Sequence, residues 1–167
     1  LVAFLGGTVG NFDPGERAKM FSELVAGFDD GDHLLLGTDL VKDPARLVAA
    51  YDDAAGVTAE FNKNVLRVLA RQLDAELDPE GFDHVALWND VDEWIEMRLR
   101  ARTDQRIRIP ELGLDVAFAA GEDLRTEISA KFRLETLGDE LARLGLELVA
   151  AWTDAAGDYA LSLSRRP

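Results

Sequence analysis

The chain has 167 residues, 47% of them hydrophobic, with two histidines, no cysteine and a formal net charge of −14. That length allows one sizeable domain or one and a half small ones, and the lack of cysteine excludes disulfides, thiolate catalysis and cysteine-based metal sites. The acidity opposes phosphate backbones and anionic lipid, so neither nucleic acid nor a membrane is expected as a partner.

In chain order, residues 1–5 (LVAFL) read as a buried parallel strand, a kind that normally has a neighbour on each side, so a further segment is expected to precede it. Gly6-Gly7-Thr8-Val9-Gly10-Asn11 follows as a turn whose glycines permit close backbone approach. Asp13, Pro14 and Glu16 form a capping-box start to a helix, along which Phe21, Leu24, Val25 and Phe28 share one face. The turn Asp29-Asp30-Gly31-Asp32 feeds a second strand over residues 33–38, which completes a right-handed β-α-β unit with parallel strands. The chain leaves that strand through Asp39 and enters a helix through Asp43-Pro44, an N-cap and a first helical residue. This helix delivers Tyr51, Asp52 and Asp53 to a loop beyond a strand's C-terminal end, the rim where open α/β sheets bind ligands.

After Gly56 a second helix is expected over about residues 58–75, with Phe61, Val65, Leu66, Val68, Leu69 and Leu73 as its apolar set. From Phe82 the period changes. Ile95, Met97, Leu99 and Ala101 alternate with Glu96, Arg98, Arg100 and Arg102, the pattern of a half-buried antiparallel strand. The arginines read as an exposed face rather than a phosphate site. Residues 106–109 and 114–118 continue in the same style, broken by Pro110 and Gly113. A last helix covers residues 134–144 with Gly145 as its C′ residue. Strands at 146–152 and 159–163 then close the chain as a hairpin, which points to one antiparallel strand within a mostly parallel sheet. His33 and His84 fall in strands and read as ordinary strand residues. No apolar run approaches the roughly 20 residues of a membrane span, no signal-peptide pattern is visible within these residues, and a cytoplasmic location is expected.

Three places carry polar side chains able to hold a small polar ligand. Asn11, in the glycine-rich turn, has an amide that can donate to a carboxylate or accept from an amine; its ordinary use would be an Asx-turn. Tyr51, at a helix end, has a phenol able to donate to a carboxylate, or a ring that simply packs. Glu127 and Ser129 lie two apart in RTEISAK, so an extended segment points both to one face. A carboxylate beside a hydroxyl suits an imidazole, one taking the ring N–H and the other answering the second nitrogen. The plain alternative is a strand surface facing water.

The segments FLGGTVGN (Phe4 to Asn11), GTDLVKDPARLVAAYDDAAGVTAEFN (Gly37 to Asn62) and RTEISAKF (Arg125 to Phe132) occur in the order in which the histidine-specific Nα-methyltransferases carry them. The chain resembles these S-adenosylmethionine-dependent enzymes, which open the ergothioneine pathway, along its whole length, but only over the C-terminal half or so of such an enzyme. The resemblance implies an α/β fold: the C-terminal half of a class I methyltransferase Rossmann-like sheet with an inserted α+β substrate-binding lobe. Residues 1–56 would form the second half of the sheet, 57–132 the lobe, and 133–167 the helix and hairpin that complete the sheet.

The same resemblance implies Nα-trimethylation of L-histidine to hercynine. It makes Asn11 and Tyr51 contacts to the amino acid's main-chain groups and Glu127 and Ser129 the readers of its ring. Gly6, Met97 and Phe61 would line the same pocket. S-adenosylmethionine is the implied cofactor, but Gly6-Gly7-x-x-Gly10 does not match the family's donor loop, and no acidic ribose-binding residue has a counterpart, so the donor site is expected to lie largely outside these residues. The chain alone is accordingly expected to be inactive, and its first strand to invite self-association through an exposed edge. Two other readings remain at this stage: an N-methyltransferase acting on another amino acid or a tryptophan-derived amine, which should lack the Glu-x-Ser pair, and a non-catalytic substrate-binding or structural fragment.

Overall fold

The computed structural model describes residues Leu1–Pro167. In chain order its strands are β1 (Val2–Phe4), β2 (His33–Asp39), β3 (Phe82–Asn89), β4 (Trp94–Ala101), β5 (Gln105–Ile109), β6 (Leu114–Phe118), β7 (Asp123–Ala130), β8 (Glu147–Thr153) and β9 (Tyr159–Arg165). The helices are α1 (Pro14–Val25), α2 (Pro44–Tyr51), α3 (Val57–Gln72) and α4 (Leu134–Ala142). They belong to two units: Leu1–Asp43, Asn89–Trp94 and Ile128–Pro167 make the first, Pro44–Trp88 and Ile95–Glu127 the second.

The first unit is a four-stranded sheet in the order β1-β2-β9-β8. β1 runs parallel to β2, whereas β9 is antiparallel to both β2 and β8. One antiparallel strand therefore sits inside an otherwise parallel sheet, as the closing hairpin predicts. α1 begins as its sequence dictates: Asp13 Oδ1 accepts the amides of Gly15 and Glu16 at 2.8 and 2.9 Å, and Glu16 accepts the Asp13 amide at 3.1 Å. Phe21 and Val25 of this helix join Leu34, Leu36, Leu137 and Leu141 in one apolar core. α4 ends where Gly145 adopts a φ of 78° and Leu146 donates back to the Leu141 carbonyl at 3.1 Å.

Within this chain residues 1–5 lie at the exposed sheet edge expected of the first strand, and they are not buried: Leu1, Val2 and Leu5 are all accessible. The hydroxyls of Thr38, Ser162 and Ser164 are buried without a hydrogen-bond partner. Ser162 and Ser164 pair across the sheet with Leu36 and Leu34, so they share the core side of those leucines.

The second unit has a three-stranded sheet, β3-β4-β7, and the separate β5-β6 hairpin. β4 alternates as expected, burying Ile95, Met97, Leu99 and Ala101. Its opposite face is not a simple solvated one. Glu96 is buried against Arg98, Arg98 and Arg100 converge on Asp123, and Arg102 pairs with Asp83. α3 departs most from its pattern. It stops at Gln72, and it buries Asn62, Lys63 and Leu66 while Phe61 is 65% exposed and Val65 is exposed beside it. Asn62 is buried because its polar atoms are all satisfied, as set out below, and Lys63 because its ammonium reaches Glu80 at 3.0 Å. Satisfied polar groups can thus replace apolar ones on a buried helix face. No helix is long and apolar enough to cross a membrane.

Candidate substrate-binding site

The first unit holds Gly6, Asn11 and Ser129. Gly6 has a φ of 86°, a left-handed conformation that disfavours any side chain, and it begins the exposed turn after β1. Asn11 ends the short 3-10 helix Thr8–Asn11 and is exposed. The helix-start amides beyond it go to Asp13, so Asn11 is not spent on that cap. Gly10 packs directly on the end of β7: a Cβ there would stand 2.7 Å from the Ala130 carbonyl oxygen. One neighbour of that contact is Asn11 and the other is Ser129, which ties the turn to the strand.

Ser129 is buried, and its Oγ accepts from Lys131 Nζ at 2.8 Å. The Lys131 side chain is 1% exposed, and its ammonium also meets Asp39 Oδ2 at 2.9 Å. The other oxygen of Asp39 takes Lys42 at 2.7 Å. A buried ammonium is tolerated only when paired in this way. Sequence reasoning missed Lys131, although the signal was present: positions 127, 129 and 131 are all polar and all fall on one side of an extended segment.

The second unit holds Tyr51, Phe61, Met97 and Glu127. Tyr51 is the last residue of α2 and packs with Met97, Leu47 and Ile95. Phe61 and Glu127 line one cavity of about 250 Å³, together with Asn62, Asn64, Val65 and Thr126. Burial raises the Glu127 carboxyl above the ordinary glutamate range. Asp53, in the loop after α2, anchors α3. Its carboxylate accepts the amides of Thr58 and Val57 at 2.8 and 3.1 Å, and these bonds, that of Thr58 foremost, lower its pKa to about 2.

A larger cavity of about 440 Å³ lies in the first unit near Arg17, Trp94, Phe132 and Glu140. Its charges are largely mutually satisfied, since Arg17 binds Glu140 at 2.9 Å and stacks over the Phe132 ring. A methyl donor of the sulfonium type requires an acidic group for its ribose and a glycine loop around its chain. The turn after β1 supplies glycines and one amide, but the carboxylate that follows it in the sequence, Asp13, is committed to capping α1. That turn does not make such a donor site by itself.

The strand order, with one antiparallel strand between parallel ones, is that of the second half of a class I methyltransferase sheet. A family model described as histidine-specific methyltransferase, SAM-dependent, matches residues 1–166, and the chain belongs to that family. It is 57% identical over 166 residues to the histidine N-alpha-methyltransferase of Mycolicibacterium smegmatis, covering 99% of this chain and 52% of that protein. Against the enzyme of the same name from Mycobacterium tuberculosis the identity is 54%, with the same coverage. The crystal structure of an S-adenosylmethionine-dependent methyltransferase from Clostridium acetobutylicum aligns with a TM-score of 0.47 at 10% identity, over 98% of this chain and 56% of that one. The chain spans about half the length of the curated relatives it matches.

Proposed function

We propose that a protein of the relatives' full length carrying this chain methylates the α-amine of L-histidine, three times, to give the betaine hercynine of ergothioneine biosynthesis. S-adenosylmethionine supplies the methyl groups. The contribution of this chain is to hold the amino acid so that its amine alone is presented to the donor. Positioning of this kind supplies most of what such a reaction needs from a protein.

The observation that carries the reading is the pair Glu127 and Ser129, at successive same-face positions of β7. In this reading the Glu127 carboxylate accepts the imidazole N–H and the Ser129 hydroxyl engages the other ring nitrogen, while Asn11 and Tyr51 take the main-chain carboxylate and amine. Gly6, Met97 and Phe61 complete the walls. Three findings support it: the family, the names of the relatives, and the place of the half-buried Glu127 in a cavity beside Phe61. Hydrogen bonds to a charged group contribute about 1.5–3 kcal/mol each, enough to favour histidine over an apolar amino acid by roughly tenfold to a hundredfold.

The test is a competition. Equal amounts of histidine, tryptophan and phenylalanine are offered to the full-length protein with the donor, and products are resolved by mass spectrometry. Nα-trimethylhistidine as the dominant product is the expected result; equal turnover of all three, or preference for an aromatic competitor, would overturn the assignment.

A further inference from the structure

One buried amide in the second unit has no part in the roles assigned so far. Asn62, on α3, is 3% exposed. Its Nδ2 lies 3.1 Å from the Arg98 carbonyl oxygen and 2.9 Å from His84 Nδ1, and its Oδ1 accepts from the Thr126 hydroxyl at 2.5 Å. The Arg98 carbonyl can only accept, which fixes the end of the carboxamide that carries nitrogen. His84 Nε2 lies 2.8 Å from the Tyr51 carbonyl oxygen. That oxygen also only accepts, so Nε2 bears a hydrogen, and the amide nitrogen facing Nδ1 only donates, so Nδ1 bears none. The ring is held as the neutral Nε2–H tautomer.

The bonds therefore run without a break from Thr126 through Asn62 and His84 to Tyr51. One end of this strut is the residue directly before Glu127 on β7; the other is the carbonyl of Tyr51 itself. Asn62 and Thr126 also line the cavity that Glu127 and Phe61 share.

We propose that Asn62 and His84 are positioning residues for amino acid recognition, fixing the Tyr51 end of α2 and the Glu127 segment of β7 in one arrangement. The proposal rests on the histidine reading given above. The polar atoms of both residues are taken up within the strut. They act through the two groups at the ends of the strut, so weakening it should harm amino acid binding and spare the donor.

Substituting Asn62 strands several buried polar groups at once and risks the fold, so His84 gives the cleaner test. His84→Gln keeps an N–H where Nε2 stood and can still donate to Tyr51. His84→Asn keeps an acceptor where Nδ1 stood but no longer reaches Tyr51. In the full-length protein, His84→Asn should raise the KM for histidine about tenfold, the cost of one positioning hydrogen bond, with the KM for S-adenosylmethionine unchanged. His84→Gln should recover most of the loss. A purely structural histidine would lower the melting temperature of both variants while leaving the ratio of the two KM values as in wild type, and that result overturns the proposal. A wild-type protein that turns over a different amine defeats the histidine reading alone, and the same KM comparison is then made with that amine. With no turnover at all, nitrogen-15 spectra of the ring decide: the Nε2–H form sustains the strut, and an Nδ1–H ring refutes it.

Discussion

The two units bury polar groups in different ways. The first encloses one continuous apolar cluster between its sheet and helices α1 and α4, and within it the hydroxyls of Thr38, Ser162 and Ser164 have no partner. Its one buried ammonium, Lys131, is confined to the end of β7 with Asp39 and Ser129. The second unit has two smaller apolar clusters. It is laced by side chains that bridge elements: Asn62 links α3 to β3, β4 and β7, and Asp123 gathers Arg98 and Arg100. Apolar burial sustains the first unit even with a few unsatisfied hydroxyls. The second specifies its arrangement through directional bonds, the kind of control that a site for one polar substrate requires.

The sharpest challenge to this contrast is Lys131→Met. If the ammonium is part of the first unit's framework, removing it leaves Asp39 partly unpaired and costs about 3 kcal/mol of stability, a fall of roughly 6–12 °C in melting temperature. Ser129 would also lose its fixed orientation, so the KM for histidine should rise. A variant as stable as wild type would show that the lysine is not structural.

Glu127→Ala tests the opposite side. Expected is a rise of roughly tenfold to a hundredfold in the KM for histidine, with relaxed selectivity and little loss of stability. Unchanged kinetics would remove Glu127 from the site.

How much of this was legible in the sequence follows the same division. The capping box at Asp13, the face of Phe21 and Val25, and the antiparallel closing strand are local patterns, and the first unit obeys them. The exposed edge at β1 was expected as well, although its apolar pentapeptide by itself reads as a buried strand. In the second unit the period of α3 misled: Phe61 and Val65 match an apolar stripe, yet the buried face holds Asn62 and Lys63. Each is buried only because partners distant in sequence, His84, Thr126 and Glu80, satisfy it. No local pattern announces such partners. For the site, the resemblance supplied the residues; Lys131 stood in the sequence as the third polar position of its strand face and was passed over, while His84 emerged only from the three-dimensional arrangement.

Ser162→Ala examines the tolerance attributed to the first unit. The hydroxyl is buried and unpaired, so exchanging it for a hydrogen should stabilise the protein by about 1 kcal/mol, a rise of roughly 2–4 °C. Catalysis should not change. A loss of stability would mean that the hydroxyl has a partner the contrast does not allow for.

The smallest effects come from pH, and in the second unit two carboxylates act with opposite sign. Asp53 has its folded pKa lowered from 3.8 to about 2 by the α3 amides. The unfolded chain therefore binds its proton first as pH falls, so the stability Asp53 provides is complete above about pH 4 and is lost between there and about pH 2. Glu127 is raised by burial alone, so the folded state keeps its proton longer, and its ionisation costs stability as pH climbs above the ordinary glutamate value of 4.5. Asp53→Asn should therefore melt slightly below wild type at pH 7 and match it near pH 2. Glu127→Gln should melt above wild type at pH 7 and converge with it below pH 4. Melting curves across that range separate the two, because an anchoring carboxylate and one kept for a ligand respond in opposite directions. If Glu127→Gln is instead less stable at neutral pH, the carboxylate is satisfied within the fold, and the second unit keeps no charge in reserve for an imidazole.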